Sequence, residues 1–469
     1  MFLRTTLASL LLAATAFGAQ AQTIRIAIGT QDTTINCAAG GLMIRELGLL
    51  QKYLPNDGKY KDVDYDIQWK NFTSGAPLTN EMVAGKLDFG AMADFPGSLN
   101  GVAHEAAGRR SLFINVLSGS VEGSGNGIVV PENSPVQSIS ELKGKTVSVP
   151  FASTAHGMLL RAVAAQGWDP ARDLTIIAQA PEVAGSALQA GKIDAHADFV
   201  PFAELFVSRG FARKIFDGSQ AKAPTFHGAL VEQDFAQQYP EIVVAYLRAT
   251  IEANRLLAEQ PEKYSELIEK VAGIEASVNY LYHGPLGLQT RDLTWKPEYR
   301  QAVSTAIDTL KLLKKADRGL NTDTFIDDQY LRAAFKASGL DYDKALANYA
   351  AQPLVAKDAV TGKPITDFKR VAQIWVKGEA QVRNYASPEE AIVQLAELKK
   401  NGHEIRGFYT QASDSGIKLL ADSAWFVKTA PGRVDAFLLK DQAVSDAQAR
   451  GGQVLDFAGL TGDTAVTAR

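Results

Sequence analysis

The stretch from residue 71 to residue 101 constrains the fold more than any other part of this sequence. It opens with a polar turn at 72–75, continues as a short amphipathic helix and passes into a buried strand at 87–92. A second turn, beginning at Asp94, leads into another helix. Two helices therefore begin where strands end, and the unpaired N–H groups of a helix start can hold an anion. An ordinary strand–helix–strand unit without a ligand explains the same local pattern.

The regions around this stretch repeat the alternation. Strands are predicted at 23–29, 62–70 and 112–117, and a helix is predicted at 38–53. Within 62–70, apolar and polar residues alternate strictly, which is typical of a half-buried strand. Strands that alternate with helices of this length indicate an α/β fold with largely parallel sheets.

A segment rich in glycine and serine, 118–127, is too polar for a core and predicts a crossover between two lobes. A second series of strands and helices follows it, and a strand at 228–232 is predicted to return to the first lobe. The helical pattern from Tyr239 onward, which includes a helix predicted at 324–338, suits a cap around that lobe. The predicted domains are a signal peptide at 1–21, the first part of lobe 1 at 22–117, lobe 2 at 118–222, the return of lobe 1 with its helical cap at 223–351, a linker at 352–368 and a C-terminal α+β module at 369–469.

The N-terminal 21 residues have the pattern of a secretory signal. Arg4 supplies a positive charge, an apolar run follows, and small residues precede a predicted cleavage site after Ala21. An uncleaved anchor is the alternative, although the apolar run is short for a membrane span. The sequence therefore predicts export to the periplasm.

Composition excludes several classes of function. A net charge of -4 gives no support for nucleic-acid binding. Cys37 is the only cysteine, so neither an intramolecular disulfide nor a cysteine-based metal site can form. Six scattered histidines show no metal-ligand spacing, and no nucleophile–base pattern or glycine-rich cofactor motif stands in its required context. This favours binding over catalysis, with no cofactor and no metal.

Loops at the carboxyl ends of the predicted strands are the places where open α/β sheets bind ligands. They lie at 31–36, 72–75, 94–97, 153–157 and 198–201. Several carry a hydroxyl or a glycine just before a helix, and such groups can hold an oxyanion without a full countercharge. Each hydroxyl alone is explained more readily as a helix N-cap, and only the set together favours a cleft.

Four segments carry a recognisable pattern: 72–75 (F-T-S-G), 81–90 (E-M-V-A-G-K-L-D-F-G), 138–147 (S-I-S-E-L-K-G-K-T-V) and 187–195 (A-L-Q-A-G-K-I-D-A). In these segments the chain resembles the periplasmic solute-binding proteins of the nitrate/sulfonate/taurine class of ABC importers, and the resemblance extends over most of the mature chain. The resemblance implies a two-lobed type II periplasmic-binding-protein fold. It also implies that the lobes close over a small anion or zwitterion and that a membrane permease recognises the closed form.

The sequence departs from this family where relatives commonly carry aromatic residues after an Asp-Ala pair. His196, Asp198 and Phe199 stand there instead. Asp198 either faces the cleft, where it would suit the amine of a zwitterion such as taurine, or caps a helix or pairs with a nearby base. His156 is expected to donate to the anion, with an affinity that falls as the pH rises. The candidate ligand-binding residues are Gln31, Phe72, Thr73, Ser74, Asp94, Phe95, Ser153, Thr154, His156, Asp198 and Phe199.

In the C-terminal module, paired strands are predicted at 369–377 and 381–385, and a helix is predicted at 387–400 with Ser387 as N-cap and Pro388 at its first position. The module also contains the segments 382–390 (V-R-N-Y-A-S-P-E-E), 424–427 (A-W-F-V), 436–437 (A-F) and 451–457 (G-G-Q-V-L-D-F). In these segments it resembles the copper-handling accessory lipoprotein of nitrous-oxide reductase assembly. That family's metal-binding cysteine and methionine are missing, because neither residue type occurs after Met158. The resemblance implies the fold and puts copper binding in doubt.

The sequence therefore predicts the substrate-binding component of an ABC importer for a sulfonate-, taurine- or nitrate-like solute, with the permease as its partner. Two alternatives remain open. One is a thiamine-pyrimidine type of enzyme on the same fold, which uses pyridoxal phosphate. The other is a metal-handling accessory protein led by the C-terminal module.

Overall fold

The computed structural model describes residues 22–312, 316, 319–350, 353–430 and 432–462. The predicted signal peptide and its cleavage site lie outside the described residues, and so do the first residue of the predicted linker and the last seven residues of the chain. Among the described residues, no helix is both long enough and apolar enough to cross a membrane.

Strands occur in every part of the described chain except the helical stretch between residues 233 and 371. They are β1 (Gln22–Thr30), β2 (Val63–Asn71), β3 (Phe89–Ala93), β4 (Ser111–Ser120), β5 (Gly127–Pro131), β6 (Thr146–Val149), β7 (Thr175–Ala178), β8 (Ala195–Asp198), β9 (Ala212–Asp217), β10 (Thr225–Glu232), β11 (Ala372–Val376), β12 (Arg383–Tyr385), β13 (Ile405–Gln411), β14 (Lys418–Leu420), β15 (Trp425–Thr429), β16 (Arg433–Phe437) and β17 (Gln453–Leu455).

Helices connect these strands and fill the stretch between β10 and β11. They are α1 (Leu42–Glu46), α2 (Leu49–Tyr53), α3 (Gly75–Val83), α4 (Asp94–Ala106), α5 (Thr154–Ala165), α6 (Pro181–Gln189), α7 (Phe202–Ser208), α8 (Gln233–Gln238), α9 (Pro240–Glu259), α10 (Pro261–Ala272), α11 (Ala276–His283), α12 (Pro297–Leu312), α13 (Thr322–Phe325), α14 (Gln329–Ala337), α15 (Tyr342–Ala347), α16 (Pro388–Lys400), α17 (Lys440–Arg450) and α18 (Phe457–Thr461).

The first lobe is built on a five-stranded sheet with the order β2-β1-β3-β10-β4. β1 pairs in parallel with β2 and with β3. β10 comes from much later in the chain, and it inserts between β3 and β4 and runs antiparallel to both. The prediction of a strand that returns to the first lobe is therefore confirmed, while the sheet is mixed rather than largely parallel.

The second lobe is built on a sheet with the order β7-β6-β8-β5-β9. β6 pairs in parallel with β7 and β8, whereas β5 runs antiparallel to β8 and β9. The chain enters this lobe through residues 121–126 and leaves it through residues 218–224. Residues 118–120 of the predicted crossover belong to β4, and residue 127 belongs to β5. β9 is not among the strands predicted from the sequence.

Two predicted helices are interrupted. The helix predicted at 38–53 is a 3₁₀ turn (Ile35–Gly40) followed by α1 and α2, which are separated at Gly48 with a φ of 62°. Glycine adopts this left-handed conformation without the steric cost of a side chain, so the chain can change direction there. The helix predicted at 324–338 divides into α13 and α14 around Ile326, which bridges to Phe113 of β4.

Aromatic rings fill the space between the first sheet and the helices that follow it. Phe226 of β10 is fully buried, with its ring centroid 5.3 Å from Trp295 and 5.2 Å from Phe113. Edge-to-face and tilted ring pairs at this spacing stabilise a core beyond the effect of burial alone. The cluster fastens the helical stretch after β10 onto the returning strand.

The C-terminal module contains two small antiparallel sheets, with the orders β12-β11-β13-β14 and β16-β15-β17. The predicted pairing of the first two strands is confirmed by the register of β11 with β12. α16 begins as predicted, because Ser387 accepts from the N–H of Glu390 and Pro388 occupies the first helical position. β14 was not predicted, since three residues carry too short a pattern.

We expect Phe226→Ala to lower the free energy of unfolding by about 3–5 kcal/mol, because the substitution leaves a cavity beside Trp295 and Phe113. Val393→Ala, on a side chain of α16 that is 64% exposed, is the control and should change stability by less than about 0.5 kcal/mol. Urea denaturation followed by tryptophan fluorescence measures both. Equal effects of the two substitutions would contradict the described packing.

Candidate functional site

A cavity of about 410 Å³, here called the main cleft, lies between the two lobes. Residues from both lobes line it, and most of them stand where a strand ends or a helix begins. The first lobe contributes Gln31, Thr34, Ser74, Gly75, Ala76, Ala93, Pro96 and His227, and the second contributes Pro150, Phe151, Ala152, Ser153, Thr154 and Phe199.

The start of α3 presents unused hydrogen-bond donors to the main cleft. Ser74 is the N-cap residue, with an extended backbone, but its side chain makes no capping hydrogen bond. Gly75 follows directly, and a Cβ at this position would lie 2.4 Å from Cβ of Pro96. A glycine is therefore needed for α4 to approach α3 so closely. The hydroxyl of Ser74 and the first N–H groups of α3 are left available to a ligand.

The start of α5 lies on the opposite wall of the main cleft. Here the hydroxyl of Ser153 does cap the helix, because it accepts from the N–H of His156 at 3.2 Å. Ala152 has a φ of 59°, which is uncommon for a residue with a side chain. Phe151 is 50% exposed, and its ring stacks on His156 with the centroids 4.7 Å apart. The second wall therefore combines a helix start with an exposed aromatic surface.

The floor of the main cleft is held by a chain of side-chain hydrogen bonds. Nδ2 of Asn36 lies 3.1 Å from Nδ1 of His227, and the same amide group donates to Oε1 of Gln289. This pattern assigns the proton of His227 to Nε2, because Nδ1 accepts. Burial lowers the pKa of His227 to about 3, so the ring is neutral at physiological pH.

The lining of the main cleft is polar but carries no formal charge. Among the described residues that line it, none is Asp, Glu, Lys or Arg. Oγ1 of Thr34 is buried, and no described residue makes a hydrogen bond with it. Hydroxyls, a neutral imidazole and two helix starts form the polar surface, while Pro96, Phe151 and Phe199 form the apolar surface. This arrangement suits an anionic group attached to an apolar body.

A second cavity, of about 370 Å³ and here called the rear cavity, shares Thr154 with the main cleft. A hydrogen bond between the lobes separates the two, since Oγ1 of Thr154 donates to Oδ1 of Asp94 at 2.9 Å. The N–H of Phe95 donates to the same oxygen at 2.6 Å. Burial raises the pKa of Asp94 to about 6, although these hydrogen bonds lower it. Asp94 therefore links the lobes and is not free to meet a ligand in the main cleft.

Five of the predicted ligand-binding residues line the main cleft: Gln31, Ser74, Ser153, Thr154 and Phe199. Asp94 and Phe95 line the rear cavity together with Thr154. The remaining four lie outside both. Thr73 is exposed, and Phe72 is half-buried with Nζ of Lys70 above its ring.

Asp198 and His156 make other contacts. Asp198 is fully buried, and its Oδ2 lies 2.7 Å from Nε2 of His196, so the pairing with a base is the arrangement observed. Burial raises the pKa of Asp198 and lowers that of His156. Nδ1 of His156 accepts from the N–H of Ala152 at 3.3 Å, so the ring is not placed as a charged donor.

Several residues that line the cleft are not among the predicted ligand-binding residues, chiefly His227 and Phe151. Thr34 and Pro96 lie in loops, 31–36 and 94–97, that are predicted only as a whole. Nothing in the local sequence indicates that His227 reaches the cleft. It lies there because the pairing of β10 with β3 brings it beside Ala93. Phe151 stands two residues before the predicted loop 153–157, and this position was the available signal in the sequence.

Comparison with known proteins gives a match over more than half of the chain. Residues 21–272 match the NMT1-like family. The taurine-binding periplasmic protein of Escherichia coli strain K12 is 28% identical over 266 residues, which cover 54% of this chain and 79% of that protein. The family match spans both lobes and ends with α10.

Solved structures show the same fold. The periplasmic aliphatic sulphonate binding protein of Escherichia coli superposes with a TM-score of 0.53 at 23% identity, covering 66% of this chain and 92% of that one. The alkanesulfonate-binding protein of Xanthomonas axonopodis pv. citri, bound to MOPS, superposes with a TM-score of 0.54 at 20% identity, covering 66% and 100%. The prediction of a two-lobed type II periplasmic-binding-protein fold, with additional C-terminal sheets, is confirmed.

We expect the stability of the protein to depend on the ionisation of Asp94. The pKa is about 6 in the folded protein and about 3.9 when unfolded, so the unfolded chain ionises first as the pH rises from 4 to 6. Stability is therefore lost over that range, by on the order of 3 kcal/mol once the pH exceeds 6. Asp94→Asn keeps an oxygen acceptor for Thr154 and removes this loss.

The measurement is the free energy of unfolding of both proteins at pH 4 and pH 7. Relative to the wild type, Asp94→Asn should have a higher free energy of unfolding at pH 7 than at pH 4. Asp64→Asn, an exposed position on β2, is the control and should follow the wild type. A difference that stays constant with pH would show that Asp94 ionises normally.

Proposed function

Since this chain belongs to the NMT1-like family, we propose that it is the substrate-binding component of an ABC importer and that its main cleft holds a sulfonate with an apolar organic tail. The observation that carries this proposal is the start of α3, where the hydroxyl of the N-cap Ser74 is unused in a cleft without charged side chains. A sulfonate carries its charge on three oxygens. It can therefore accept several hydrogen bonds at once from a helix start, Ser74 and Nε2 of His227.

The apolar walls support an organic sulfonate over an inorganic anion. Pro96, Phe151 and Phe199 offer ring surfaces that an alkyl or aryl tail can cover. The relatives named above are binding proteins for taurine and for aliphatic sulphonates, and one was solved with MOPS, a buffer with a sulfonate on a short carbon chain.

The proposed ligand class is a sulfonate without an amine. The amine of taurine would need a carboxylate, yet Asp198 pairs with His196 and Asp94 is bound by Thr154 and Phe95. An ammonium group placed in the main cleft would lose its hydration without an ionic partner. Taurine is therefore expected to bind more weakly than an alkanesulfonate of similar length.

The wider assignment follows from the relatives. They are binding proteins, and two are described as periplasmic, which supports a periplasmic receptor that passes its ligand to a permease. The arrangement of the main cleft supports binding rather than catalysis. Ser153 caps a helix, His227 belongs to the floor network, and Ser74 is left to contact a ligand beside apolar side chains.

For the C-terminal module we propose a role within this receptor rather than in copper handling. Among the described residues, no group of three or more His, Cys, Asp or Glu is arranged to hold a metal ion.

Titration calorimetry with propanesulfonate, hexanesulfonate, MOPS, taurine, nitrate and acetate tests the proposal. The alkanesulfonates should bind most tightly. MOPS, whose morpholine nitrogen is partly protonated at neutral pH, and taurine, nitrate and acetate should bind more weakly. Ser74→Ala should weaken alkanesulfonate binding by about 10- to 100-fold, because a hydrogen bond to a charged group is lost. Thr73→Ala, on the exposed neighbouring side chain, is the matched control and should leave affinity unchanged.

Failure of the folded protein to bind any sulfonate would overturn the proposed function. Equal effects of Ser74→Ala and Thr73→Ala would overturn the assignment of the start of α3 while leaving the function intact.

A further inference from the structure

Residues 284–290, here called the strap, follow directly after α11 and lead towards α12. The strap folds back on α11, because Leu288 N donates to Leu281 O at 3.1 Å and Gln289 N donates to Tyr282 O at 3.2 Å. Gly287 is required for this turn, since a Cβ there would lie 2.4 Å from the carbonyl oxygen of Tyr282. The strap then bridges to β4 through Thr290 and Gly119. It is a defined structural element rather than a loose loop.

The strap holds both the floor of the main cleft and the crossover between the lobes. Oε1 of Gln289 accepts from Asn36, the residue that fixes the ring of His227. Nε2 of Gln289 donates to the carbonyl oxygen of Ser124 at 3.0 Å, within the crossover. Beside it, the hydroxyl of Tyr282 donates to the carbonyl oxygen of Gly125 at 2.9 Å. A displacement of Gln289 would therefore disturb the cleft floor and the crossover together.

The C-terminal module reaches the strap through Lys418 of β14. This lysine is 1% exposed, and its Nζ donates to the carbonyl oxygen of Pro285 at 3.1 Å. Nζ lies 4.1 Å from the ring centroid of Tyr280 and 4.8 Å from that of Tyr409. Burial lowers the pKa of Lys418 well below its usual range. A lysine is costly to bury, so its contact with the strap is an unusual feature of this interface.

The strap also receives an apolar contact from the chain that leads into the module. Leu286, which has a φ of 58°, packs against Leu354, Ile365 and Val371. A left-handed conformation is strained for leucine and persists only where the surroundings impose it. The strap is thus held by the module on one side and by the cleft network on the other.

Docking of the module does not depend on Lys418. Arg406 forms ion pairs with Glu269 and Glu266 of α10, and the hydroxyl of Tyr409 donates to the carbonyl oxygen of Ser277 at 3.0 Å. These contacts fasten the module to the cap helices and leave the strap untouched. The lysine can therefore be tested apart from the attachment of the module as a whole.

We propose that Lys418 is a positioning residue for the main cleft. By fixing the carbonyl group of Pro285, it holds the strap in the register that places Gln289 against Asn36, and so sets the orientation of His227. The C-terminal module thereby tunes the affinity of a cleft to which it contributes no lining residue among those described. This inference rests on the proposed function, since it names a determinant of ligand binding at the same cleft.

Lys418→Met in the full-length protein removes the donor and keeps the length and packing of the side chain. We expect alkanesulfonate binding to weaken by roughly 2- to 30-fold, the range found for residues that act through a connecting network. Arg406→Met is the matched control, because it loosens the same module without touching the strap, and it should leave the affinity unchanged. Lys418→Gln, which is too short for the same contact, replaces the methionine variant if that variant does not fold.

Two further measurements report on the strap itself. Amide hydrogen exchange of 284–290 should speed up in Lys418→Met and not in Arg406→Met. The ¹⁵N shifts of the His227 ring should also move, since its hydrogen bond with Asn36 depends on Gln289. When Lys418→Met is combined with Gln289→Glu, the loss of affinity should differ from the sum of the two single losses, as expected for residues in one network.

The outcomes separate this inference from the proposed function. If the wild type binds no sulfonate, the proposed function fails, while hydrogen exchange and the His227 shifts still test the positioning by Lys418. Unchanged affinity, exchange and histidine shifts in Lys418→Met would overturn the inference. So would an equal loss of affinity in Arg406→Met, which would trace the effect to attachment of the module.

Discussion

The insertion of β10 between β3 and β4 is the constraint on which the rest of the structure depends. The first sheet cannot close until the chain has completed the second lobe and returned, so the second lobe is held by two crossovers. These crossovers bring the start of α3 and the start of α5 to opposite walls of one cleft. The same insertion places His227 at the floor of that cleft and stacks Phe226 on the aromatic cluster beneath it.

A cleft lined by neutral donors has physical consequences for a receptor. Helix starts, hydroxyls and a neutral imidazole replace the hydration of an anion without providing a countercharge. A ligand held in this way loses most of its hydrogen bonds as soon as the walls separate, because no long-range ion pair remains. The interlobe hydrogen bond between Thr154 and Asp94 lies beside these donors. Closure of the lobes is therefore coupled to the formation of hydrogen bonds with the ligand. Such coupling suits a protein that must also release what it binds.

Sequence patterns predicted the helices and strands that are determined by residues close to one another in the chain. The alternation in β2, the polar turn before α3 and the Ser387–Pro388 start of α16 each follow from residues within one turn or strand. The features that were missed depend on distant partners. His227 enters the cleft only through strand pairing, and the pairing of Asp198 with His196 depends on the inward faces of β8. Short elements such as β14 carried too few residues for a pattern, yet β14 supplies Lys418.

A crystal structure with 3-bromopropanesulfonate tests the central claim most directly, because the bromine marks the tail by anomalous scattering. The account predicts sulfonate oxygens about 2.7–3.2 Å from Oγ of Ser74 and the first N–H groups of α3, with the bromine beside Phe151 or Phe199. A sulfonate paired with a charged side chain such as Arg161 of the rear cavity, with the main cleft left empty, would contradict it.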